Sequence, residues 1–128
     1  MIYLDTSVAL AELLAEDCRP ADALWGEPLI SSRLLEYELW TRVNARGAWA
    51  THGEAVRELL ARVSLVELAP AVLARALEPF PFPVRTLDAL HLATAHFLTS
   101  HRQRVTLATY DDRMRECAEK LGIELAEM

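Results

Sequence analysis

Short apolar runs alternate along this chain with longer stretches in which apolar residues recur at helical spacing. The first run, Ile2-Tyr-Leu4, stops at Asp5, and apolar residues from Val8 to Leu14 then continue at helical spacing. This pattern predicts a strand, a sharp turn and a helix, with Thr6 or Ser7 as the N-cap. Ligands bind at the carboxyl ends of strands in open α/β sheets, so Asp5 is either a site residue or an acid that merely caps the helix or favours its dipole.

The same alternation continues to the end of the chain. The predicted strands cover residues 2–4, 27–31, 65–68, 104–108 and, at an edge, 123–125. The predicted helices cover residues 8–14, 32–46, 51–63, 70–77, 86–100 and 111–121, with Thr51 and Thr86 as N-caps. Strands that alternate with helices form a parallel sheet covered on both faces. We therefore expect one three-layer α/β/α domain over residues 1–128 with four or five strands.

Composition is that of an ordinary soluble globule, with 52% hydrophobic and 25% charged residues in 128. No apolar run approaches the roughly 20 residues of a membrane span, and no basic-then-apolar leader precedes the first strand, so we expect a cytoplasmic protein without membrane association. Cys18 and Cys117 lie far apart in sequence, and we expect both to be reduced.

The net charge of −6 argues against a broad basic surface for nucleic acid. That balance changes if some of the acids converge on a metal ion, because bound cations would neutralise much of the local negative charge. The position of each acid on its predicted helix or strand is therefore more informative than the net charge of the chain.

On the helix that follows the second strand, Glu38 and Glu36 are separated by roughly 160° at about 100° per residue. Glu38 falls between Leu34 and Leu35, which places it on the inner face, whereas Glu36 faces outward. An inward carboxylate needs a partner, because burying it unpaired costs several kcal/mol. The partner is either Arg42 at i+4 or a cation.

Two further acids lie at predicted helix N-termini. Asp88 is in the first turn of a largely apolar helix, where an acid also favours the helix dipole. Thr109 and Asp112 have the spacing of a capping box, which accounts for Asp112 and leaves Asp111 free beyond the fourth strand. Asp5, Glu38, Asp88 and Asp111 would then gather at one edge of the sheet. Ionised together they require a cation, and an all-oxygen site indicates Mg²⁺ or Mn²⁺.

The chain resembles PIN-domain ribonucleases, most closely the VapC-like toxins of bacterial and archaeal type II toxin–antitoxin pairs. The resemblance covers nearly the whole chain, and four segments carry it: Met1-Ile-Tyr-Leu-Asp-Thr-Ser7, Ile30-Ser-Ser-Arg-Leu-Leu-Glu-Tyr-Glu-Leu39, Leu87-Asp-Ala-Leu-His-Leu-Ala-Thr-Ala95 and Thr109-Tyr-Asp-Asp-Arg-Met114. The resemblance implies that the family's metal-binding acids fall on Asp5, Glu38, Asp88 and Asp111. Its small hydroxyl residues near the metal fall on Thr6 and Thr109.

The resemblance also implies a function and partners. We expect a divalent-metal-dependent endoribonuclease toxin, controlled by a cognate VapB-like antitoxin and forming a homodimer. RNA would be held by arginines around the acidic pocket, for which Arg33, Arg85 and Arg113 are the candidates because each lies near an element end at the site.

Two alternatives are a catalytically inactive PIN fold that serves as a binding module and a haloacid-dehalogenase-like phosphatase. The phosphatase would need a second Asp two residues after Asp5, where this chain has Ser7. His91 and His96, at i and i+5, diverge by roughly 140° on their helix and are not expected to bind one metal together. We interpret His91 as a packed residue in the core or behind the metal ligands.

Overall fold

The computed structural model describes residues 1–14 and 20–128 of the chain. Its elements follow in the order β1 (Ile2–Leu4), α1 (Thr6–Leu13), a 3₁₀ helix (Asp22–Gly26), β2 (Leu29–Ser32), α2 (Leu34–Ala45), α3 (Trp49–Ala61), β3 (Val63–Val66), α4 (Pro70–Ala76), α5 (Thr86–Ser100), β4 (Thr106–Ala108), α6 (Asp112–Lys120) and β5 (Glu124–Leu125). This order is the strand–helix alternation that the apolar pattern predicts.

The five strands pair in parallel to form one sheet in the order β3-β2-β1-β4-β5. The chain first extends the sheet from β1 towards β3, and then returns so that β4 pairs with the other side of β1. The gap between β1 and β4 is therefore a topological switch point, and ligands bind in the crevice outside the carboxyl ends of such strands. The predicted α/β fold is confirmed, with five strands.

Side chains of β1 alternate between the two faces of the sheet and divide the core into two clusters. Ile2 and Leu4 pack in the cluster that holds residues of α1, α2 and α3. Tyr3 packs on the opposite face with residues of α5 and α6, and its side chain is fully buried. The three layers therefore put α2 and α5 on opposite faces of β1, and Tyr3 lies on the α5 side.

Several predicted boundaries are displaced because tertiary pairing overrides the local pattern. β3 begins at Val63 instead of residue 65, since Val63 to Val66 pair in register with all of β2. The predicted caps of α3 and α5 are wrong. Thr51 lies inside α3, and the N-cap of α5 is Arg85 without a side-chain hydrogen bond. These shifts move no candidate site residue to another face of the sheet.

Two expectations from composition can be compared with the described part of the chain. None of its helices is long and apolar enough to cross a membrane. Cys117 is a buried free thiol, as expected, whereas Cys18 lies outside the described residues.

Candidate active site

The four predicted carboxylates lie together at the switch point. Asp5, Glu38, Asp88 and Asp111 line one cavity of about 450 Å³. An adjoining cavity of about 300 Å³ shares Asp88 and Asp111 with it. Asp5 follows β1, Asp111 follows β4, and the two helical acids come from α2 and α5 on either face of the sheet. The fold thus brings residues from four separate segments to one place.

Asp5 is the N-cap of α1, which corrects the prediction that Thr6 or Ser7 has this role. Its Oδ2 accepts hydrogen bonds from the Ser7 backbone nitrogen at 3.4 Å and the Ser7 hydroxyl at 2.7 Å. The Thr109 hydroxyl, one strand away, donates to the same oxygen at 2.8 Å. One carboxylate oxygen of Asp5 therefore caps the helix, which was one of the possibilities left open from sequence, and the side chain also lines the cavity.

Asp111 is the N-cap of α6, so the predicted capping box of Thr109 and Asp112 is wrong. Asp111 has an extended backbone just before the helix, and its Oδ1 accepts from the nitrogens of Arg113 at 2.9 Å and Met114 at 3.1 Å. Thr109 instead accepts from the Asp111 nitrogen at 3.1 Å and donates to Asp5. The helix begins one residue later than the sequence indicates, which leaves Asp112 exposed in its first turn.

Glu38 faces the core side of α2, as its position on the helix predicts, and its side chain is 17% exposed against 45% for Glu36. Its Oε1 accepts from the Thr6 hydroxyl at 2.8 Å and lies 2.7 Å from Nε2 of His91. The described residues contain no ion pair between Glu38 and Arg42, the partner considered from sequence, although both side chains line the cavity.

A common pattern connects three of the acids. The anchoring bonds use Oδ2 of Asp5, Oε1 of Glu38 and Oδ1 of Asp111. Within residues 1–14 and 20–128, no protein hydrogen bond engages the second oxygen of any of the three. Among the described residues, each of these carboxylates is therefore fixed through one oxygen, and its other oxygen accepts no protein hydrogen bond.

The pKa of Asp88 responds to its position among the other acids. Burial, and then the negative charges of Asp5 and Asp111, raise the pKa of the Asp88 carboxyl to about 6, and Glu38 acts in the same direction. Like charges that are held together in a partly buried cavity disfavour full ionisation. A cation in the cavity would remove this penalty.

The donor set fits a hard divalent ion, because carboxylate and hydroxyl oxygens are the ligands that Mg²⁺ and Mn²⁺ prefer. In the described residues, however, no three His, Cys, Asp or Glu side chains are grouped closely enough to hold an ion by themselves. Mg²⁺ commonly retains several waters and binds through one or two carboxylates. The cavity suits that kind of partly hydrated binding better than an all-protein cage.

The three candidate RNA-binding arginines occupy different positions. Arg85 and Arg113 line the cavities beside Asp88 and Asp111. The Arg33 guanidinium instead pairs with Glu67 at 2.7 Å and is not among the residues that line the acidic cavities. Arg42 does line the cavity and was considered only as a partner for Glu38. Its position one helical turn after Glu38 is the signal that could have identified it.

Comparison with known proteins agrees with these features. The family model of the PIN domain matches residues 2–120. The chain belongs to the PIN domain family. Among its relatives, Ribonuclease VapC46 of Mycobacterium tuberculosis (strain ATCC 25618 / H37Rv) is 39% identical over 127 residues, which cover 95% of this chain and 93% of that protein.

Two further relatives from Mycobacterium tuberculosis (strain CDC 1551 / Oshkosh) extend the comparison. Ribonuclease VapC35 is 36% identical, with 96% of this chain and 93% of that protein covered. Ribonuclease VapC47 is 32% identical, with 98% and 96% covered. The resemblance to VapC-like PIN proteins that four short segments suggest is thus confirmed over nearly the full chain.

Proposed function

We propose that this protein is a divalent-metal-dependent endoribonuclease and the toxin of a toxin–antitoxin pair. The observation that carries the proposal is the cavity lined by Asp5, Glu38, Asp88 and Asp111, in which burial and then repulsion by the neighbouring acids raise the pKa of Asp88. A bound cation relieves that repulsion. The similarity to proteins named Ribonuclease VapC supports RNA as the substrate.

The four acids would hold one or two Mg²⁺ or Mn²⁺ ions, directly or through water. When bound, such an ion activates a water for in-line attack and stabilises the charge that develops on the phosphate. The hydroxyls of Thr6 and Thr109 support this role, because each donates to a carboxylate oxygen and so fixes Glu38 and Asp5 respectively. Residues that orient metal ligands in this way commonly matter for both affinity and activity.

RNA binding requires local positive charge, because the protein carries a net charge of −6 and repels polyanions at long range. Arg85 and Arg113 line the cavity and would contact the backbone phosphates that flank the cleaved bond. Arg33 remains a candidate further from the acids, since it would have to exchange Glu67 for phosphate.

The proposed partners follow from the similarity to VapC proteins. A VapB-like antitoxin would bind this chain and block RNA cleavage, and two copies of the chain would form a homodimer. The chain would bind RNA, the antitoxin and its second copy in the cytoplasm, which is the location expected from the sequence.

The experiment that tests the proposal compares matched variants in RNA cleavage with Mg²⁺. Asp5→Asn, Glu38→Gln, Asp88→Asn and Asp111→Asn should each reduce cleavage by about 10²-fold or more with the fold intact. Glu36→Gln and Asp112→Asn are matched controls on the same helices and should retain activity.

Two results would redirect the proposal. If the wild-type protein binds Mn²⁺ and RNA but cleaves nothing, the chain is an inactive PIN module that acts by binding. If the control variants lose as much activity as the cavity acids, the assignment of Glu38 and Asp111 is wrong. The phosphatase alternative has no support, because Ser7 occupies the position where its second Asp is needed and the chain belongs to another family.

A further inference from the structure

A buried chain of side-chain hydrogen bonds leads from the core of the sheet to Glu38. The Tyr3 hydroxyl lies 2.9 Å from Nδ1 of His91, and Nε2 of His91 lies 2.7 Å from Oε1 of Glu38. Tyr3 is fully buried and the His91 side chain is 1% exposed. Tyr3 belongs to β1, His91 to α5 and Glu38 to α2, so this series of hydrogen bonds connects three elements of the fold behind the cavity.

The donors and acceptors fix which nitrogen of His91 carries its proton. A carboxylate can only accept, so Nε2 must donate to Glu38. The single proton of the Thr6 hydroxyl is also given to Glu38, so the 3.1 Å contact between Thr6 and His91 again requires Nε2 to donate. Both contacts therefore place a proton on Nε2.

The other nitrogen, Nδ1, is then left as an acceptor for the Tyr3 hydroxyl. The neighbouring hydroxyls of Ser31 and Thr94 donate to backbone carbonyls, at 2.7 Å to Leu4 and 2.8 Å to Leu90. Burial raises the pKa of the Tyr3 phenol, which keeps its proton available for donation.

We propose that Tyr3 and His91 are positioning residues for Glu38: the Tyr3 hydroxyl bonds Nδ1 and holds the His91 ring in place, and His91 donates its Nε2–H to one carboxylate oxygen so that the other is presented to the metal. This inference rests on the proposed function, because it assigns Glu38 to a metal ion. It goes further in naming two core residues that contact no substrate and yet set the affinity of the site.

A packed core histidine would account for the burial of His91 but predicts different variant behaviour. If His91 only fills space, its replacement lowers stability and leaves ion affinity unchanged. If it positions Glu38, losing its N–H donor should weaken ion binding by about 10–100-fold, as for other residues that orient metal ligands. Ion affinity, measured apart from cleavage, therefore separates the two roles.

The first measurement is the protonation of His91 in the metal-free protein, by long-range ¹H–¹⁵N NMR correlation of the imidazole ring. The expected result is a proton on Nε2 and none on Nδ1. Tyr3→Phe removes the donor to Nδ1 with little change in volume, and should shift the ¹⁵N resonance of Nδ1 because that nitrogen loses its hydrogen bond.

The second measurement is Mn²⁺ binding followed by electron paramagnetic resonance. His91→Asn, whose shorter amide does not reach Glu38, should weaken binding about 10-fold or more, and Tyr3→Phe should weaken it several-fold. His91→Gln places an N–H donor near the position of Nε2 and should bind closest to wild type. His96→Asn is the matched control, since His96 is on the same helix but bonds Arg75 at 3.0 Å, and should leave Mn²⁺ affinity unchanged.

The outcomes distinguish this inference from the proposed function. If wild type binds Mn²⁺ and all four variants bind it equally, or if Nδ1 carries a proton in wild type, the inference is refuted and the proposed function stands. If wild type itself binds no Mn²⁺, the metal mechanism fails and the positioning role fails with it. An Nε2–H ring together with graded loss of Mn²⁺ affinity in His91→Gln, Tyr3→Phe and His91→Asn supports the inference.

Discussion

Asp88→Asn should stabilise the metal-free protein at neutral pH while abolishing RNA cleavage. The pKa of Asp88 is raised from 3.8 to about 6 by burial and by the charges of Asp5 and Asp111. An ionised Asp88 is therefore less compatible with the folded protein than with the unfolded chain. Replacing Asp88 with the neutral amide of the same shape removes this unfavourable negative charge, which a bound cation would otherwise neutralise.

The magnitude follows from the shift. One pKa unit corresponds to about 1.4 kcal/mol, so the full shift corresponds to roughly 3 kcal/mol. Asp88 is only partly buried, and solvent screening reduces this to about 1.5 kcal/mol. The amide also loses about 0.5 kcal/mol of attraction to the N-terminus of α5. The net gain of about 1 kcal/mol should raise the melting temperature by about 3–6 °C.

The pH dependence has a definite sign. Between the unfolded pKa of 3.8 and the folded pKa of about 6, the folded protein binds more protons at Asp88 than the unfolded chain does. The destabilisation due to Asp88 is therefore complete above the folded pKa and is lost as the pH falls through this window. The advantage of Asp88→Asn should be greatest near pH 8 and should disappear near pH 4.

Thermal unfolding in EDTA across this pH range measures the effect. Asp112→Asn is the matched control, because Asp112 is exposed beside the same cavity, and it should stay within about 0.5 kcal/mol of wild type. Saturating Mg²⁺ should remove the difference in stability between wild type and Asp88→Asn, since an ion at about 100 times its Kd stabilises wild type by about 2.7 kcal/mol. An Asp88→Asn protein that is no more stable than wild type at pH 8 in EDTA would refute the electrostatic reasoning.

The remaining predictions concern RNA and partners. Reversing the charge of both Arg85 and Arg113 should weaken RNA binding and flatten its dependence on salt, measured by fluorescence anisotropy. The same reversal at Arg33 should have a smaller effect because Arg33 pairs with Glu67, and equal slopes for all proteins would exclude the three arginines. Light scattering should give a dimer mass for the purified chain and a larger complex after co-expression with the proposed VapB-like antitoxin, whereas a monomer that forms no complex would contradict the toxin assignment.

The sequence predicted the sheet and the four acids for related physical reasons. Short apolar runs between helical stretches leave few topologies open, and the carboxyl ends of parallel strands share one edge. The shared edge predicts that Asp5 and Asp111 lie together, and the helical period separates Glu38 from Glu36. The cavity brings together the four acids that were selected from the sequence, and also Arg42, which was not selected as a cavity residue.

The predictions that were wrong concern details that depend on contacts between distant segments. Asp111 was not considered as an N-cap, and for Asp5 that role was left open beside Thr6 and Ser7. A cap is decided by the backbone angle at one residue, which shifts with the strand end. The partners of Glu38 are Thr6 and His91, which lie 32 and 53 residues away in sequence. Local spacing offered only Arg42 as a protein partner for that carboxylate.

Cleavage of a circular RNA tests the central claim most directly, because a circle has no ends and only an endonuclease can open it. The purified protein should linearise the circle with Mg²⁺ or Mn²⁺, lose that activity in EDTA and regain it when the ion is restored. Asp5→Asn should leave the circle closed under every condition. A wild-type protein that opens the circle equally well in EDTA, or an Asp5→Asn protein with full activity, would contradict the metal-dependent mechanism.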